Sequence, residues 1–272
     1  MEKLLIKPHG STTLNPLIVR DQERREQLIV NAQQLPKLLL NSAAAANVVM
    51  LGAGYFNPLT GFMNLNDALS CVERMHTLDG LFWPVPIVNL VAADANIPTS
   101  GKIALRDPNV VGHPVIAIMD IDRVESVSRE QLEFMALKIF ATADLDHPGV
   151  ATFLGLGSQL VSGTIDVLNF SYFEEDFPST FQTAFEIRAE IFARGWQNVV
   201  AFQTRNPMHR AHEELCRMAM QRLGADGVIV HMLLGRLKPG DIPAEVRDDC
   251  IRKMVDVYFP KNSVMVSGYG FD

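Results

Sequence analysis

The 272-residue sequence predicts an α/β protein in two parts, a β-rich first half and a parallel α/β second half. Three observations carry this expectation. Up to about residue 167, short apolar runs alternate with proline and glycine turns. Beyond it, amphipathic helix-length segments alternate with short apolar runs. Hydrophobic residues make up 48% of the chain and charged residues 20%, enough for a substantial core.

In the first half, residues 21–34 read as a polar helix that Pro36 ends. The alanine run at 43–46 is too short to define an element. Residues 52–62, Gly-Ala-Gly-Tyr-Phe-Asn-Pro-Leu-Thr-Gly-Phe, are turn-rich with apolar anchors. Residues 83–88 and 115–119 are strand-like, and 129–140 is helical. Prolines from Pro84 to Pro148 interrupt the apolar runs and disfavour long helices. The expected architecture is a small β-rich barrel with helical additions.

In the second half, residues 180–194 form an amphipathic helix stopped by Gly195. Residues 199–202 are a short apolar run, as in a buried parallel strand. A helix over 212–223 with Gly224 as its cap follows, then a strand over 227–234. Pro243 opens a helix through Tyr258, as suits proline in a first turn, and 263–266 is a third strand. This α-β-α-β-α-β order is the pattern of a doubly wound parallel sheet. A Gly/Ser/Asp/Pro-containing stretch at 163–179 separates the two textures, dividing the chain into domains 1–167 and 168–272. Three strands alone leave an apolar edge uncovered, so the second domain is expected to continue beyond Asp272.

Charge and cysteines narrow the function classes. The net charge is −7, against a chain-wide nucleic-acid or anionic-membrane binder. No signal peptide or apolar run of membrane-spanning length is visible. Cys71, Cys216 and Cys250 are scattered and odd in number, which fits a reducing cytoplasm.

The segment richest in chemistry is Gln203-Thr204-Arg205-Asn206-Pro207-Met208-His209-Arg210-Ala211-His212. It follows an expected strand and opens an expected helix, where ligands bind in open α/β sheets. Free N–H groups at a helix N-terminus favour anions. His209 and His212, at i and i+3, share one face of the first turn. Arg205 offers a rigid two-pronged donor and Gln203 an uncharged one. Residues 203–240 hold six Arg/Lys and three Asp/Glu, a net +3, leaving −10 elsewhere. A local positive site in an acidic chain points to a small anion. Set against this, a bare His-x-x-His is commonly a surface cap. Zinc on His209, His212 and Cys216 is disfavoured, because no fourth ligand and no His-Glu-x-x-His is present. Glu213 and Glu214 read as partners of the helix dipole, not general bases. Cys216 and Cys250 read as core residues. His9, His76, His113 and His147 read as structural.

This segment resembles the signature of the ATP sulfurylase (sulfate adenylyltransferase) family, within the His-x-x-His nucleotidyltransferases. Residues 54–63, Gly-Tyr-Phe-Asn-Pro-Leu-Thr-Gly-Phe-Met, resemble its N-terminal motif, and His147-Pro148-Gly149-Val150 a second landmark. Gly235-Arg236-Leu237-Lys238-Pro239-Gly240-Asp241 resembles its loop after the second catalytic strand. The resemblance implies a PUA-like N-terminal domain and a Rossmann-like catalytic domain. It implies that Gln203 and Arg205 hold sulfate and that Gln203, Thr204, Asn206, His209 and His212 contact ATP. Arg205, Asn206, His209 and His212 become the implied catalytic residues, and Gly235, Lys238 and Asp241 part of a mobile cover. Implied ligands are ATP with Mg²⁺, sulfate, adenylyl sulfate and pyrophosphate, with no dedicated metal site, no nucleic acid and no membrane. A cytoplasmic homo-oligomer, dimer or higher, is expected. Two later family segments, Tyr-Ala-Gly-Pro-Arg-Glu-like and Gly-Arg-Asp-His-like, have no counterpart here. Rival readings are an adenylyltransferase for another acceptor and a PUA-type RNA-binding or regulatory protein. The Gln-x-Arg pair favours a small oxyanion over the former, and the acidic balance opposes the latter.

Overall fold

The structure is a computed structural model and describes residues 5–235 and 242–270. Its chain divides into two compact units, residues 17–52 with 56–171, and residues 1–16 and 53–55 with 172–272.

The first unit holds α1 (Gln22–Ala32), β1 (Lys37–Leu39), α2 (Ser42–Gly52), β2 (Gly61–Phe62) and α3 (Leu65–Arg74). It continues with β3 (Leu90–Val91), β4 (Gly101–Arg106), β5 (Val115–Ser126), α4 (Arg129–Phe140), α5 (Pro148–Gly155) and β6 (Gln159–Val167). The sheet order is β1-β4-β5-β6-β2, with β3 also on β6. Among the described residues no ladder joins β1 to β2, so the sheet is open where a barrel was expected. One core lies between β3, β6 and the helices α3, α4 and α5, around Leu90, Met135, Val150 and Leu160.

Two expectations for this unit are corrected. Residues 83–88 are not a strand: Pro84 and Pro86 cannot donate to a ladder, and β3 begins at Leu90. The alanine run, in contrast, lies in an eleven-residue helix, α2, buried from Ala44 to Ala46 and from Val48 to Gly52. A helix with so few polar side chains shows no 3.6-residue period. Gly52 lets α2 close on β6, because a Cβ there would press on Val167.

The second unit holds α6 (Phe173–Asp176), α7 (Ala184–Arg194), β7 (Val199–Thr204), α8 (Arg210–Leu223), β8 (Gly227–Leu234), α9 (Ala244–Tyr258) and β9 (Val264–Gly270). The strands are parallel in the order β7-β8-β9. Helix α7 starts at Ala184, not Thr180. Thr183 and Glu186 form a capping box, and Gly195 in the left-handed conformation ends the helix. Residues 180–182 instead line the edge of β9, where the Gly268 N–H donates to the Thr180 carbonyl (2.6 Å) and the Gln182 N–H to the Gly268 carbonyl (3.1 Å). Ile187, Trp196, Ile229 and Met265 pack together on the α7 face of the sheet. Strand β7 is not the buried strand expected. Ala201 and Gln203 are exposed and Thr204 alone is buried, whereas β8, between two neighbours, is buried at six of eight positions.

Candidate functional site

Strand β7 ends at Thr204, and α8 begins at Arg210 with His209 as its N-cap in extended backbone (φ −132°, ψ 176°). The intervening loop is fixed by its own residues. Buried Thr204 donates its hydroxyl to the Asn206 carbonyl (2.9 Å) and accepts from the Asn206 N–H (3.1 Å). Met208, in the same loop, is buried. The Thr204 hydroxyl is thereby committed to the backbone.

His209 and His212 come together as the spacing requires, their rings stacked with centroids 3.9 Å apart. The His209 backbone N–H donates to His212 Nδ1 (3.3 Å). An acceptor at Nδ1 leaves the proton of a neutral ring on Nε2, so His212 presents an N–H donor. Phe202 lies against the His212 ring at 5.5 Å. Burial lowers the His212 pKa below its ordinary value, and the adjacent His209 lowers it further. His212 thus presents a donor of little permanent charge at the helix N-terminus. Glu213 is buried and held by Arg210 (2.5 Å) and Arg217 (2.8 Å). Arg210 also lies over the Tyr258 ring at 4.3 Å. Cys216 is buried, its thiol pushed up to about 11 by desolvation, whereas Cys250, expected in the core, is exposed on α9.

Gln203 stands on the sheet face opposite Phe202, by strand alternation. Its lateral partners are His231 on β8 and Ser267 on β9. These residues, with Tyr55 and Tyr269, form a polar cluster absent from the sequence reading. His231 stacks on Tyr269 at 4.5 Å and meets Tyr55 at 5.6 Å. The Tyr55 hydroxyl donates to the Gln182 carbonyl (2.8 Å). Burial lowers the His231 pKa to about 4, so its ring is neutral. Burial raises Tyr269, an effect that a hydrogen bond with the Gln203 side chain opposes. The signal was present: His231 is the polar interruption of an apolar strand, Gly-Val-Ile-Val-His-Met-Leu-Leu, in register with Gln203.

Gly235 follows β8 as a half-buried bend. Lys238 and Asp241 lie outside the described residues. Among the described residues no three His, Cys, Asp or Glu side chains are grouped to hold a metal ion. No described helix is long and apolar enough to cross a membrane.

A parallel α/β sheet in which a Gln-x-Arg pair ends the first strand and paired imidazoles stand on the next helix N-terminus is the arrangement expected of the His-x-x-His class of nucleotidyltransferase. Comparison with known proteins narrows this. Residues 6–170 match the PUA-like domain model and residues 178–272 the ATP-sulfurylase model. The chain is 60% identical over 268 residues to the sulfate adenylyltransferase of Alcanivorax borkumensis, covering 98% of this chain and 67% of that one. It is 58% identical to the enzyme of Allochromatium vinosum, with 98% and 68% covered. It is 56% identical to that of the Riftia pachyptila sulfur-oxidizing endosymbiont, with 98% and 61% covered. A solved structure described as a hexameric APS kinase from Thiobacillus denitrificans superposes with a TM-score of 0.75 at 26% identity, covering 98% of this chain and 47% of that one. The chain belongs to the sulfate adenylyltransferase family, and it spans about two thirds of the length of these relatives.

Proposed function

We propose that the chain contributes to the transfer of an adenylyl group from ATP to sulfate, giving adenylyl sulfate and pyrophosphate, or to the reverse reaction that makes ATP. The observation that carries this is the single loop joining β7 to α8. It sets a Gln-x-Arg pair at a strand end and two stacked imidazoles at the following helix N-terminus.

Sulfate carries no proton at neutral pH, so a general base has nothing to remove. A sulfate oxygen attacks the α-phosphorus; the bond from that phosphorus to the bridging oxygen breaks, and its electron pair leaves with pyrophosphate. The protein's part is to hold the nucleophile in line and to meet the charge that moves. In this reading Arg205 and Gln203 hold sulfate, and Asn206 approaches the α-phosphate. His209 and His212 donate to the ATP phosphates, a bond that strengthens as charge passes to the leaving group. Burial keeps His212 in its neutral donor form above its lowered pKa. Mg²⁺ enters on the phosphates of ATP, since hard cations of this kind retain water and phosphate ligands. A cytoplasmic homo-oligomer is part of the same reading.

The test is pyrophosphate release from ATP that depends on sulfate or molybdate. Arg205→Ala removes a charge-assisted fork, so oxyanion binding should weaken by about 1.5–3 kcal/mol, roughly ten- to a hundredfold, with ATP binding much less affected. His209→Ala and His212→Ala should act mainly on ATP and the rate. Turnover independent of any oxyanion would refute the reaction. Loss of ATP binding in Arg205→Ala with oxyanion binding intact would refute the division of roles.

A further inference from the structure

Arg247 lies in the first turn of α9, one turn after Pro243, and is only 3% exposed. Its stripe neighbours Ala244 and Ile251 are buried as well. A guanidinium here is unfavourable on two counts. It is withdrawn from water, and it sits at the helix end whose N–H groups already present positive charge. A helix dipole argues for Asp or Glu at this place, and core packing argues for an aliphatic residue.

The hydrogen bonds show what the guanidinium does. Nη1 donates to the Arg205 carbonyl at 2.9 Å and to the Leu233 carbonyl at 3.0 Å. Leu233 lies near the end of β8, and Arg205 immediately follows β7. One buried nitrogen therefore ties together the carboxyl ends of two adjacent parallel strands. From the other side, Thr204 closes on Asn206 through two hydrogen bonds. The 205–206 peptide is clamped at its carbonyl and at its N–H, which fixes ψ of Arg205 and φ of Asn206. Backbone angles restrict which rotamers a side chain can adopt, so the clamp limits where the Arg205 fork can reach.

We propose that Arg247 is a positioning residue for the oxyanion subsite. It does not touch substrate; it holds the Arg205 backbone so that the Arg205 fork meets the anion. The inference rests on the assignment of Arg205 to sulfate. Lysine is a poor replacement, since its ammonium is more strongly hydrated than a guanidinium, is costlier to bury, and rides on a flexible stem that does not fix it between the two carbonyls.

The experiment compares Arg247→Lys and Arg247→Gln with the parent in the full-length protein. Two readouts are taken on variants whose thermal unfolding remains cooperative. Amide hydrogen exchange over residues 203–209 needs no substrate and reads the clamp directly. It should speed up in both variants while residues 214–222 of α8 stay protected. Steady-state kinetics reads the consequence: KM for sulfate should rise about tenfold or more, with KM for ATP within about threefold, as expected for a misplaced binding group. Unchanged exchange at 203–209 would overturn the clamp. Faster exchange with an unchanged sulfate KM, or equal losses for sulfate and ATP, would overturn the positioning role. A parent protein without sulfate-dependent turnover would instead remove the underlying reaction, and the exchange data would still decide the clamp. Should Arg247→Gln lose cooperative unfolding, Arg247→Lys alone decides by the same criteria.

Discussion

His231 makes a pH-dependent contribution to stability whose sign can be worked out. Its folded-state pKa, about 4, lies below the unperturbed value of 6.5 because burial opposes the charged ring. Where the unfolded chain binds the proton and the folded one does not, acid favours unfolding. The contribution is complete above about pH 6.5 and is lost as pH falls from there through about 4. Between pH 7 and pH 5 this one group should remove about 2 kcal/mol of stability. His231→Gln should flatten that part of the profile, measured as denaturant midpoints across the range. An unaltered slope would show that His231 is not the group responsible. The contribution was hidden in the sequence because one histidine in an apolar strand has no patterned partner. Its partners Tyr55 and Tyr269 lie 176 residues before it and 38 after it. His209 and His212, in contrast, were legible because a helix turns a spacing of three into a contact. Arg247 escaped notice for a related reason: a cation in a helical stripe looks like a solvated residue until the carbonyls that it meets are known.

Helix α7 depends on its capping box. The Thr183 hydroxyl accepts from the Glu186 N–H (3.3 Å), and the Glu186 carboxylate accepts from the Thr183 N–H (2.7 Å). Thr183→Ala should cost about 1 kcal/mol, read as a lowered unfolding midpoint of the unit that contains α7, with Thr183→Ser close to the parent. Equal midpoints for Thr183→Ala and the parent would mean that packing of Ile187 and Ile191 sets this helix start. Elements with such end signals were readable in advance. Residues 129–140 follow Ser128, which caps them with Gln131 in the same reciprocal way, and α4 has those bounds. Gly224 likewise ends α8 in the left-handed conformation. The elements that were not readable lack end signals or periodicity. Helix α2 carries only Ser42 and Asn47 as polar side chains. Strand β7 is apolar in composition, but it has a neighbour on one side only among the described residues. A short apolar run records the chemistry of a strand and not its place in the sheet.

Over the whole molecule, chain order and spatial grouping differ. Residues 1–16 precede the β-rich half yet belong to the same compact unit as 172–272. Arg188 of α7 donates to the Ile6 carbonyl (2.7 Å), and a Cβ at Gly54 would meet Pro16 at 3.3 Å. A chain beginning at Leu17 should therefore lose amide protection at 53–55 and 184–194 while strands β4 and β5 keep theirs. Loss concentrated in 101–126 would contradict this grouping. No local pattern announces such an arrangement, because the contacts join segments 38 and 182 residues apart. The division into a β-rich and a parallel α/β half was legible because it is a change of hydrophobic period, which is a local property.

The close approach at the start of β8 has an optical consequence. Gly227 leaves no room for a Cβ because the Trp196 indole occupies that space, and the indole Nε1 donates to the Asn262 carbonyl (3.1 Å). The chain has two tryptophans. Trp196 belongs to one compact unit and Trp83 to the other, and both are buried. Each unit thus carries one internal fluorophore. Trp83→Phe leaves an emission spectrum that follows the parallel sheet alone, and Trp196→Phe one that follows the β-rich unit. Trp196 marks the end of β8 remote from Gln203 and His231, so a red shift of its emission signals loss of the sheet itself and not a ligand arriving at the strand ends.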